Sequence, residues 1–243
     1  MNKLKAHTIY KINGKRVPGV TTIIGSQLGW NKFALIKWAG TEGLKGNDPS
    51  KVRDNAAEIG TLAHSLIHDH VNRILKGKDP TKTKNNIKWE EYCNNNIKYA
   101  KQAFIGFLKW EEKTKPIYKA TEMLVTNRFY KYGGTLDLIA EIPTEEGTEL
   151  AVVDFKTSDG FYPEMIIQLA AYAAAYEVEN GPVGCSIEDV TMFKPLIQKH
   201  IILQIDKATG SYHEHIISKE AISKGWSVFV HLLALYKLQK ELK

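Results

Sequence analysis

The strongest constraint on the fold is a change of hydrophobic period near Ile117. Upstream, Ile87, Tyr92, Tyr99, Phe104, Phe107, Leu108 and Trp110 recur at helical spacing, which predicts a long helix over 85–113 with a broad apolar face. Downstream the period becomes two. This predicts strands over about 118–126, 130–142 and 149–157, with turns at Asn127-Arg128 and across 143–147. A helix then opens at Pro163, runs through Glu177 and closes at Asn180-Gly181-Pro182, and strands follow near 190–196, 200–206 and 211–217. A final helix from about Ser218 packs Trp226, Phe229, Leu232, Leu233 and Tyr236 on the body. Helices, then strands, a helix and more strands pack best as a central mixed β-sheet flanked by helices, in the α/β (α+β) class.

Two short strands, 8–12 and 16–20, flank Asn13-Gly14, a strong hairpin signal. Thr21 or Thr22 then caps a turn leading through Gly25 and Gly29 into an aromatic helix over 31–44 that carries Trp38. Asp48-Pro49 supplies an N-cap followed by proline at the first helical position, opening a helix that runs to about Leu75 and stops at Gly77. The expected organisation is one domain over 1–243, mainly helical over 1–116, with a sheet core over 117–217 and a C-terminal helix over 218–243. The five tryptophans, Trp30, Trp38, Trp89, Trp110 and Trp226, are expected mostly in the core, with an N-terminal one or two available to stack on unpaired bases.

Charge narrows the partners only slightly. Lys and Arg number 33 against 27 Asp and Glu, a net +6 that favours an anionic partner such as nucleic acid. No basic tail is present, so an anion-binding surface must be assembled by folding. Cys93 and Cys185 are far apart and outside any Cys/His cluster, which argues against a disulfide scaffold, a structural zinc or an iron–sulphur cluster. The basic N-terminal residues run into polar ones without the apolar stretch of a secretion signal, and the longest apolar runs are too short to span a bilayer. A soluble cytoplasmic protein with no membrane partner is expected.

The chemistry concentrates on Val152-Val153-Asp154-Phe155-Lys156-Thr157-Ser158. Residues two apart on a strand share a face about 7 Å apart, so Asp154 and Lys156 look into the same space while Phe155 points away. Burying such a pair needs a partner or a purpose. Gly133-Gly134-Thr135-Leu136-Asp137-Leu138 places a second acid on the neighbouring strand, facing opposite to Leu136 and Leu138, and one hairpin register sets it beside Asp154. Two carboxylates brought together at a sheet end repel, and a hard cation such as Mg²⁺ or Mn²⁺ relieves the repulsion. Asp137, Asp154 and the Phe155 carbonyl form the candidate metal set, and Lys156 is placed to steer a water and stabilise charge on a phosphate.

Four further residues are weighed with simpler alternatives. His64, one turn after Gly60 on a predicted helix, either completes the metal shell or bonds a neighbour on the helix face. Gln168 and Tyr172, at i and i+4, either reach a phosphate or are incidental on an alanine-rich packing helix. Glu122 is either another acid near the metal or a solvent-facing strand residue. His64 and His68 are four apart, but Ser65 stands where a zinc-protease signature needs glutamate. His213 and His215 share a strand face without a visible third ligand, and are read as exposed strand histidines.

Gly60-Thr61-Leu62-Ala63-His64, Gly134-Thr135-Leu136-Asp137, Asp154-Phe155-Lys156-Thr157-Ser158 and Gln168-Leu169-Ala170-Ala171-Tyr172 follow one another across about 60–172. In that order they resemble the PD-(D/E)xK nuclease superfamily, within it the RecB-like and phage-type exonuclease branch. The resemblance implies a restriction-endonuclease-like core with a helical N-terminal elaboration, and a DNA exonuclease dependent on one or two Mg²⁺ or Mn²⁺ ions in recombination, repair or phage DNA processing. It assigns metal ligation to His64, Asp137 and Asp154 and catalysis to Lys156, with Asp137 and Asp154 in the catalytic set. It gives supporting or DNA-contacting roles to Thr157, Ser158, Gln168 and Tyr172, and a looser one to Glu122. Without four suitable cysteines or a phosphate loop, an iron–sulphur cluster is not expected, and any helicase or recombination partner is a separate chain. The alternatives are a non-catalytic nucleic-acid-binding module on the same fold and a structure- or site-specific endonuclease.

Overall fold

A computed structural model describes residues 8–81, 87–181 and 195–242. A five-stranded mixed sheet lies between two helical layers, in the α/β (α+β) class expected. Its strands are β3 (Ile117–Asn127), β4 (Tyr132–Thr144), β5 (Gly147–Lys156), β6 (Lys199–Ile205) and β7 (Tyr212–Ile216), in the order β3-β4-β5-β6-β7. Only β5 and β6 run parallel. A parallel pair needs a crossover, and α5 (Pro163–Asn180) lies within it.

The central strands are apolar on both faces because each face is covered. On β5, Val152 joins a cluster with Leu169, Ala171 and Ala175 of α5, Phe229 of α6 (Lys219–Glu241) and Ile23 of α1 (Val20–Gln27). Ala151, Val153 and Phe155 turn the other way, against Leu62 and Leu66 of α3 (Pro49–Leu75) and Phe107 and Trp110 of α4 (Asn94–Thr114). The alternation of β5 therefore sends Asp154 and Lys156 towards α5. Local signals act as read at two points. Asp48 Oδ1 accepts from the Ser50 and Lys51 N–H groups ahead of Pro49 in α3, and Asn13 and Gly14 take φ of 49° and 75° between β1 (Tyr10–Ile12) and β2 (Lys15–Val17).

Three expectations need correction. The helix read over 85–113 starts at Asn94, after a 3₁₀ turn at Trp89–Glu91, because Cys93 is extended and its Sγ caps the Asn96 N–H. Residues 85 and 86 lie outside the described range. The turn read at Thr21 is the helix α1, which begins at Val20 and buries Val20, Ile23 and Ile24. The strand read near 190–196 falls largely outside the described residues, and Pro195 and Leu196 are not in a strand. Trp30 and Trp38 are exposed, in keeping with an N-terminal one or two left outside the core, and α2 (Lys32–Leu44) buries none of its residues.

The alternation of β4 also breaks at the site. Leu136 joins the α5-side cluster and Leu138 the α3-side cluster, so Asp137 does not face opposite to both. The strand beside it changes face at the same level: Thr121 pairs Leu138, Met123 pairs Leu136, and Glu122 between them has a φ of 49°. A left-handed glutamate inside a strand is held at a cost of about 1 kcal/mol or more, and its effect is to re-aim two carboxylates.

Candidate metal centre

Asp137, His64 and Glu122 come together from β4, α3 and β3. One ligand atom from each lies within 4.8 Å of the other two. His64 Nδ1 is 3.3 Å from Asp137 Oδ1, and Asp137 Oδ2 accepts the Phe155 N–H at 2.7 Å. The His64 Nε2–H donates to the Phe155 carbonyl at 3.2 Å, since a carbonyl only accepts. His64 thus reaches the end of β5, but through Phe155 rather than Asp154.

Asp154 occupies the next position along the β4–β5 register, which ends at Leu138 opposite Val153. It lies outside the three-residue cluster. It is buried, with Lys156 Nζ 2.5 Å from Oδ2, and neither of its oxygens meets a hydrogen-bond partner beyond that ion pair among the described residues. Lys156 Nζ also donates to Gln168 Oε1 at 3.2 Å, and Gln168 Nε2 donates to the Tyr172 hydroxyl at 2.9 Å. The i, i+4 pair on α5 therefore forms a relay that fixes the lysine. Thr157 and Ser158 stand apart: the Thr157 carbonyl accepts from Lys207, and the Ser158 hydroxyl donates to the Gly160 carbonyl.

The electrostatics follow from crowding acids in a place where water is scarce. Burial disfavours ionised Asp154 most, the Asp137 charge adds to this, and Lys156 only partly compensates, so its carboxyl is pushed up. Burial also opposes ionisation of Asp137, but His64, Lys156 and the Phe155 N–H outweigh it and hold the carboxyl low. For His64 burial disfavours the imidazolium, and the Asp137 carboxylate more than reverses this, raising its pKa to about 9. Glu122 is exposed as a residue, yet its carboxylate sits among protein atoms that withdraw water; this, then the Asp137 charge, pushes it up to about 7.

The donor set fits a hard divalent ion. Carboxylates, a backbone carbonyl and one imidazole match Mg²⁺ or Mn²⁺ preferences, and the buried Oδ1 of Asp154, which meets no partner among the described residues, is the kind of atom that such an ion satisfies.

His64, Glu122 and Asp137 line a cleft of about 800 Å³ with Gly60, Lys156, Gln168 and Tyr172. Sequence reasoning passed over Thr8, Tyr10 and Thr21 as site residues and weighed His68 only for a zinc pair with His64; all four also line it. The Tyr10 hydroxyl lies 3.0 Å from Thr135 Oγ1, across 125 residues of chain, and only one local signal hinted at this. That signal is Gly133-Gly134. A Cβ at Gly133 would lie 2.6 Å from Tyr10 Cβ, and one at Gly134 would overlap the Tyr172 ring. The pair is there so that two tyrosines can lie against β4.

No known protein-family model matches the chain, and no curated protein matches it. Among solved structures, the chain is similar to the crystal structure of LHK-Exo in complex with dAMP. The likeness has 12% sequence identity and a TM-score of 0.39, over 77% of this chain and 88% of that one.

Proposed function

We propose that this chain is a DNA nuclease dependent on Mg²⁺ or Mn²⁺ that hydrolyses phosphodiester bonds, and that it acts from strand ends. The observation that carries the reading is the convergence of Asp137, Glu122 and His64 in one cleft that Lys156 also lines. A structural salt bridge would explain Lys156 and Asp154 alone. It would not explain a second and third acid, Asp137 and Glu122, gathered beside them, one on a left-handed backbone.

In this reading His64, Asp137, Asp154 and the Phe155 carbonyl hold the metal, with Glu122 as a further acid. When bound, the ion supplies Lewis-acid polarisation of the phosphate and activation of water. The chain's own residues do the rest. Lys156 brings a positive charge to the phosphate and orients the attacking water, and the bond it donates to Gln168 Oε1 holds the ammonium at the cleft. Tyr172 fixes Gln168, and its phenol stays neutral because burial and the nearby Asp154 and Asp137 charges raise its pKa well above the ordinary value.

End-labelled linear DNA and closed circular DNA, each with Mg²⁺ and with EDTA, test the reading. Shortening of the linear substrate alone, only with Mg²⁺, is the expected result. Cleavage of the circle would make the protein an endonuclease. Cleavage in EDTA would remove the metal from the mechanism, and binding without cleavage in any metal would leave a non-catalytic module.

A further inference from the structure

Beside the catalytic cleft lies a second polar groove of about 450 Å³, bounded by Arg16 of β2, Lys240 of α6, and the hydroxyls of Thr21 and Thr22. The two depressions share Thr8, Tyr10 and Thr21, so they adjoin where Tyr10 meets Thr135. Their charges differ. The cleft holds the acids, whereas among the described residues no carboxylate lines the second groove.

The hairpin that forms its wall is unusually one-sided. Residues 8–19 contain Lys11, Lys15 and Arg16 and no acid. Lys11 and Arg16 are direct cross-strand partners, a like-charge arrangement that destabilises a two-stranded ribbon unless an anion sits against it. Lys240 is held by its ammonium lying 4.6 Å from the Tyr236 ring centre, and Tyr236 also lines the groove. Two cations with hydroxyl donors between them, opening from a metal-binding cleft, suit a chain of phosphates rather than a single small anion.

We infer that this groove carries the backbone of the DNA strand beyond the scissile position, with Arg16 and Lys240 each neutralising a non-scissile phosphate and Thr21 and Thr22 donating to their oxygens. The inference rests on the nuclease reading for the identity of the polymer. Its test does not depend on catalysis.

A labelled 12-nucleotide single strand is titrated with protein in EDTA, and the affinity is followed by anisotropy from 50 to 300 mM salt. The double substitution Arg16→Gln/Lys240→Gln is expected to weaken binding roughly tenfold at 100 mM salt and to flatten the plot of log K against log salt by about 1.4, two contacts at ~0.7 each. The charge-preserving Arg16→Lys/Lys240→Arg keeps the wild-type slope. Lys98→Gln/Lys224→Gln, which removes equal charge from α4 and from the first turns of α6, also keeps it. An unchanged slope in the groove variant, or the same loss in the distant one, would overturn the groove even if the protein proves to be an active nuclease. A protein that cleaves nothing but shows the flattened slope would sink the nuclease reading and leave the groove standing.

Discussion

The Lys156 ammonium lies 2.5 Å from Asp154 Oδ2, at the end of a strand covered on both faces. The pair is therefore poorly screened, and each member needs the other. Lys156→Ala leaves a buried carboxylate that takes up a proton to escape its isolation, so a loss of about 1–3 kcal/mol in urea unfolding is expected at pH 7. Asp154→Asn with Lys156→Ala together should cost less than the sum of the two single changes, since the second removes a partner already lost.

Metal uptake gives a second expectation. An ion that binds only the folded chain stabilises it by about 2.7 kcal/mol at a hundred times its dissociation constant. For a chain of this length Mn²⁺ should raise the melting temperature by roughly 5–10 °C. Asp137→Asn should abolish the shift, because Asp137 belongs to the three-residue cluster and contacts His64. A shift of the same size in the variant would place the ion elsewhere.

The glycines separate close approach from mere helix placement. Gly134→Ala should destabilise by about 1–3 kcal/mol, because its methyl overlaps the Tyr172 ring packed on β4. Gly60→Ala meets only Thr157 Oγ1 at 3.3 Å and removes a flexible residue from the interior of α3, so it should be neutral or stabilise by up to about 1 kcal/mol. Urea unfolding of the two variants measures the contrast.

His200 provides a pH-dependent term away from the cleft. It is buried, and burial together with the Lys219 charge lowers its pKa to about 4 from an ordinary 6.5. The unfolded chain therefore binds a proton there that the folded chain refuses between those values. The contribution is fully present above pH 6.5 and is lost as pH falls towards 4, about 3 kcal/mol in all. The gap in stability between wild type and His200→Gln should accordingly narrow by most of that amount between pH 7.5 and pH 4.5.

What the sequence revealed depended on the range of the physics involved. The period of two around Val152, Val153 and Phe155 was enough to put Asp154 and Lys156 on one face, and the i, i+4 spacing of Gln168 and Tyr172 was enough to pair them, because both are fixed by neighbours in the chain. The re-aiming of Asp137 was not legible. It needs a left-handed Glu122 on another strand, and nothing about a glutamate in a strand announces a φ of 49°. Nor was Tyr10 legible at the site, since its contact with Thr135 spans 125 residues. The late start of α4 rests on a cysteine acting as a cap, which is a weak signal beside serine or aspartate.

The most direct measurement of the central claim is single-turnover cleavage of end-labelled linear DNA by wild type and Lys156→Ala, with Mg²⁺, at protein concentrations where both bind the substrate fully. Wild type should release nucleotides from the end, and the variant should be slower by about 100-fold or more, the loss typical of one positioned charge at a transition state. A variant that cleaves within a few-fold of wild type would reduce the Lys156–Asp154 pair to a buried salt bridge and contradict the account.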